Sequence, residues 1–190
     1  MHVREHHAPV AHLLLVSGLI ALAFLACEGL HLLDHGATAA GDRPAVHGVF
    51  VPHGMFVLLA WVYGWFMVPL VLPALLVSAA FVVGPDYMTP TVALLALARL
   101  VSVMAAFELL RVLGRDARGD HGRAGLAALF AGGLLSSLVF NGLRVTYGPC
   151  CEVMDGAERM LAYATAVRAD LAGLVIVMLS AMFLFRALRR

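Results

Sequence analysis

Lysine is missing altogether, and arginine supplies all thirteen basic side chains of the 190-residue chain. Charge of either sign is scarce: 13% of residues are charged, against roughly a quarter in a soluble domain. The formal net charge of +1 gives no basic surface of the kind that nucleic-acid binding needs. Cysteine is rare as well. Cys27 lies in an apolar run, Cys150 and Cys151 are adjacent, and no CxxC or other zinc-type spacing occurs. A Ser-His-Asp signature, a Walker loop, a dinucleotide fingerprint and HExxH are all lacking, so the sequence reads as a non-enzyme.

What is there is apolar. Hydrophobic residues make up 62% of the chain and mean hydropathy is +0.92. Such a composition predicts an all-α, polytopic integral membrane protein built from helices about twenty residues long. The first segment does not read as a cleavable signal peptide. Its apolar run is too long, and no small-x-small site precedes a soluble region.

Six transmembrane helices are expected in a single domain, 1–190, at about 11–34, 46–63, 65–84, 89–113, 123–147 and 160–187. The apolar run 48–84 is too long for one crossing, and "YGW" at 63–65 is its natural break. Pro69 and Pro73 predict a kink in the third helix, and Pro90 suits the first turn of the fourth. "GRDARGDHGR" and "GPCCEVMDGAER" read as loops.

Arginine distribution orients the chain. Arg111, Arg115, Arg118 and Arg123 flank the loop between helices 4 and 5, and Arg186, Arg189 and Arg190 end the chain. The next loop carries Glu152, Asp155 and Glu158 against Arg159. Six crossings with both termini cytoplasmic place the basic regions inside and the acidic loop outside.

That topology puts Glu28, His31, His53, Asn141, Arg144, Arg168 and Asp170 in the outer half of the bilayer, with Arg99 near its midplane. Each charge facing lipid would cost roughly 2.5–3.5 kcal/mol even on the lenient insertion scale. Turned inward, the same groups pair with one another. They form either an outward-facing polar ligand site or a set of structural ion pairs that fix helix packing. Three arginines, Arg99, Arg144 and Arg168, stand against Glu28 and Asp170, so a small anion is the expected ligand.

Metal chemistry is the competing reading of "CEGLHLLDHG". Glu28, His31 and His35 share a helix face, but a di-iron site needs a second Glu-x-x-His, which the chain lacks. His31 with His53 is the remaining way to ligate one metal or a haem, and the sequence names no cofactor. Pro52 and Gly54 bracket His53 in "VPHGMFV", where a weakened turn and a close backbone approach are expected. Gly132, Gly133, Ser136 and Ser137 form a small-residue face suited to close helix packing.

The stretch "GVFVPHGMFVLLAWVYGWFMVPLVLPALLVSAAF" resembles helices 2 and 3 of the membrane-associated sensor domains of bacteria. "LVSVMAAFELLRVLGRDARGD" is similar to their fourth helix with its basic exit, and "AVRADLAGLVIVMLSAMFLF" to their last. Pro52, Gly54, Gly64, Asp170 and Gly173 carry the match. The resemblance implies a multi-pass sensory module of the bacterial inner membrane. It differs in having Ser78 and Ala79 where a late glycine is usual, and in ending at Arg190 without a kinase or cyclase output domain. Either this is a stand-alone relative, or signalling needs a separate protein partner. Arg111, Arg115, Arg118 and Arg123 are the expected contacts to that partner or to anionic membrane lipid. A non-catalytic accessory subunit of a larger membrane complex, and the substrate-binding component of a transporter, are the alternative functions.

Overall fold

A computed structural model describes residues 7–35, 48–117, 123–148, 151 and 154–188, without the side chains of 7–10, 28–35, 82, 83, 87, 123, 124, 185 and 188. Among the described residues there is helix and no strand. The helices are α1 (His7–His35), α2 (Val51–Tyr63), α3 (Met67–Val83), α4 (Pro90–Val112), α5 (Arg123–Tyr147) and α6 (Gly156–Leu188). Single 3-10 turns, Gly64–Phe66 and Pro85–Tyr87, lead into and out of α3.

Four apolar helical stretches are long enough to cross a bilayer: Val51–Phe81, Pro90–Val112, Gly125–Tyr147 and Gly156–Leu184. Their outward faces fit that environment. Phe81 is 88% exposed and Phe66 76%, and Leu14, Leu22, Leu25 and Leu94 are exposed as well. An apolar surface this extensive suggests insertion in lipid rather than contact with water. The expected helices 2 and 3 together make up the first stretch. α2 is only 13 residues, about 20 Å by helical rise, which is short of a hydrocarbon core about 30 Å thick. It starts at Val51 rather than near 46 because Pro52 supplies the first-turn residue, while Gly48 to Phe50 run into it without helical structure.

Gly64 ends α2 with φ 59° and ψ −141°, a conformation that favours glycine. α1 and α2 are antiparallel: His12 meets Tyr63 edge to face, Phe24 meets Phe50, and the Cys27 thiol donates to Val49 O at 3.1 Å. α3 also packs along α1. Thr89 caps α4 by accepting from Val92 N, at 3.3 Å. Pro73 lies inside α3 and does not end it.

The core is built on Val16, Ile20, Phe56, Val57, Met67, Val71, Leu100, Val103, Met104 and Leu174, all fully buried. α2 and α6 cross at two glycines. A Cβ on Gly173 would run into the backbone of Phe50 and Val51, and one on Gly54 would come within 2.7 Å of Gly173 O. Gly133 likewise makes room for Leu174 and Val57. The small-residue face of α5 therefore does serve packing, and the bare backbone at Gly173 admits the extended residues that precede α2. There Phe50 N donates to Ala169 O at 2.9 Å. This bond satisfies a non-helical amide inside the protein, as membrane depth requires.

Candidate functional site

The α2–α5–α6 contact encloses a polar knot. Asp170, only 2% exposed, is its hub. One carboxylate oxygen, Oδ2, accepts from Ser137 Oγ at 2.8 Å and from Asn141 Nδ2 at 2.8 Å, both on α5. From α4, the Arg99 guanidinium donates to Oδ1 and Oδ2 through longer contacts of 3.4 Å. The Arg99 guanidinium is also held between two rings, 4.5 Å from the centroid of Phe50 and 4.2 Å from that of Phe140. Facing two aromatic faces, a desolvated guanidinium recovers part of the interaction it loses with water, about 0.5–2 kcal/mol per ring.

Helical spacing builds this cluster. Gly133, Ser137, Asn141 and Arg144 fall at intervals of four, four and three, on one face of α5. Gly133 O accepts from Ser136 Oγ at 2.9 Å and lies 3.0 Å from His53 Nε2. A carbonyl can only accept, so Nε2 carries the hydrogen. In the neutral ring Nδ1 is then an acceptor, 4.0 Å from Asp170 Oδ2 and without a hydrogen bond among the described residues. Asn141 Nδ2 also donates to Ser137 O at 3.0 Å. Turning its amide over would set an oxygen against a carboxylate and a carbonyl. The orientation is therefore fixed, and Asn141 Oδ1 is the buried acceptor left over.

The structure thus brings together His53, Arg99, Asn141 and Asp170. Arg144 stands one turn beyond Asn141 on the same face of α5, with Nε and Nη2 buried and unpartnered among the described residues. Arg168 does not join the cluster: it is exposed. Two positions along a helix turn about 200°, so burying Asp170 turns Arg168 away. Glu28 and His31 fall on α1, and their side chains lie outside the described ones. Among the described residues, no group of three His, Cys, Asp or Glu is placed to hold a metal ion.

Pro52 and Gly54 are buried at the start of α2, Gly173 faces them, and Gly64 forms the turn at the other end. Of the basic loop, Arg111 is exposed and paired with Glu108 at 2.6 Å, and Arg115 is exposed. Arg118 and the side chain of Arg123 lie outside the described residues. Sequence reasoning missed three members, Ser137, Phe50 and Phe140. Ser137 was detectable, standing one turn before Asn141 in an otherwise apolar helix. The two phenylalanines carry no signal that separates them from lipid-facing ones.

No protein-family model, curated protein or solved structure matches this chain.

Proposed function

We propose that the chain is a sensory or small-ligand-binding module of the bacterial inner membrane that works through a partner protein. In this reading the bundle makes six crossings with both termini in the cytoplasm, and α2 is a short helix that starts below the outer surface. The observation that supports it is a set of buried polar atoms without partners among the described residues: His53 Nδ1 and Asn141 Oδ1 beside an otherwise well-bonded Asp170, and Arg144 Nε and Nη2. A buried polar atom that goes unsatisfied costs about 1–3 kcal/mol, and a bound polar molecule offsets that cost. Arg111, Arg115, Arg118 and Arg123 would carry the response to the partner or rest on anionic lipid.

Native mass spectrometry of the protein purified in mild detergent tests this. A small molecule should accompany the wild type and be lost from Arg144→Ala while helical circular dichroism is retained. Absence of any such molecule from the wild type, or its retention in the variant, overturns the reading.

A second reading, an accessory subunit of a membrane complex, draws on the Arg99–Asp170 pair. That pair is closed on itself and ties α4 to α6. A stoichiometric protein partner recovered with no small molecule would favour it.

A further inference from the structure

We propose that the ligand of this site is a small carboxylate with a hydrogen-bond donor on the adjacent carbon, a 2-amino or 2-hydroxy acid, and that Arg144 is its anchor. The inference rests on the ligand-binding reading above and gives it a chemical class.

The argument starts from which atoms are left over. Arg144 Nε and Nη2 form one edge of the guanidinium, with two N–H bonds pointing the same way. That edge is the shape that grips both oxygens of a carboxylate. Both atoms are buried, and neither has a partner among the described residues. Asp170, the buried acid of the cluster, is already committed. Asp170 Oδ2 takes Ser137, Asn141 and Arg99, and Oδ1 takes Arg99. A ligand carboxylate brings the two oxygens that the Arg144 edge lacks.

The remaining free atoms are acceptors. Asn141 Oδ1 is fixed as an acceptor by the bonds its Nδ2 makes to the Ser137 carbonyl and the Asp170 carboxylate. It lies one turn from Arg144 on the same face of α5, where side chains stand about 5–6 Å apart. In the neutral ring His53 Nδ1 is a second acceptor, 4.0 Å from Asp170 Oδ2. A plain carboxylate satisfies Arg144 and leaves Asn141 Oδ1 bare. A carboxylate with an ammonium or hydroxyl on the next carbon satisfies both from one small molecule. The donor supplies the selectivity, because a site built around a buried acceptor disfavours ligands that cannot donate to it.

Isothermal titration in non-ionic detergent without added lipid tests the proposal, with glycine, glycolate and acetate as probes. The wild type should bind glycine or glycolate at least about tenfold more tightly than acetate, given what a hydrogen bond to a charged or buried group contributes. Arg144→Lys keeps the charge but loses the two-pronged edge, and should weaken binding of the preferred probe at least about tenfold. Asn141→Leu should bring the preferred probe down to the level of acetate. Circular dichroism and melting of each variant establish that it folds. If Asn141→Leu fails to fold, the acetate comparison in wild type decides alone. Equal binding of acetate and glycolate, or binding indifferent to Arg144→Lys, overturns the inference. If none of the three probes binds while mass spectrometry still finds a molecule lost from Arg144→Ala, this inference falls and the ligand-binding reading stands. If no molecule is found either, both fall.

Discussion

Arg99 and Asp170, 71 positions apart in sequence, meet at 3.4 Å in the interior of an apolar bundle. The contact joins α4 to α6, and Ser137 and Asn141 extend it to α5. Desolvating both charges offsets much of their attraction, so the pair adds little net stability while intact. Its removal by halves is another matter, and it leads to the first prediction.

Asp170→Asn leaves Arg99 charged and buried without a counter-charge. Thermal or denaturant unfolding in detergent should show a loss of about 3–5 kcal/mol. The exposed pair of Arg111 and Glu108 sets the contrast. Glu108→Gln should change stability by less than about 1 kcal/mol, because solvent screens that pair. Equal effects of the two substitutions would mean that Asp170 is not the hub described.

Gly173→Ala should destabilise by about 1–3 kcal/mol, since its Cβ meets the backbone of Phe50 and Val51 rather than a movable side chain. Gly18→Ala is the control. Nothing lies within 4 Å of the position, so that change should be neutral or stabilising by up to about 1 kcal/mol. Melting curves of the two variants side by side check this.

Gly64→Ala forces a side chain onto a positive φ at the turn between α2 and α3. A loss of about 1–3 kcal/mol is expected from that strain. Gly156→Ala, with open space around it and no positive φ, should be nearly silent in the same assay.

Reporter fusions test the orientation. A fluorescent protein joined after Arg115 or at the C-terminus should fluoresce, as it does in the cytoplasm. Alkaline phosphatase joined near Asp155 should be active, as it is only outside. The opposite pattern would invert the bundle and put the polar knot on the inner side.

Much of this fold could be read from periodicity and breakers. α5 begins at Arg123 and ends at Tyr147, where the apolar run and its flanking loops place it, and α4 differs from expectation by a residue at each end. The short α2 was harder to see. Val49 and Phe50 are as apolar as the helix that follows, and what keeps them out of it is a tertiary contact, Phe50 N to Ala169 O across a bare Gly173. The knot was partly legible because Arg99, Asn141 and Asp170 stand out within apolar helices. Arg168 stood out equally and faces away, which the two-residue offset from Asp170 already implied. Depth along a helix does not by itself place a side chain in a cluster; the helical angle decides which way it faces.

The bond from Trp61 Nε1 to Ala117 O, 2.8 Å long, fastens the end of α2 to the segment that follows α4. Trp65 lies one turn further on, and these are the chain's two tryptophans. Intrinsic fluorescence is therefore a gauge mounted at one end of α2, while His53 and the Phe50 ring over Arg99 sit at the other. A spectral response to a molecule entering the knot would be a signal that has travelled the length of that helix.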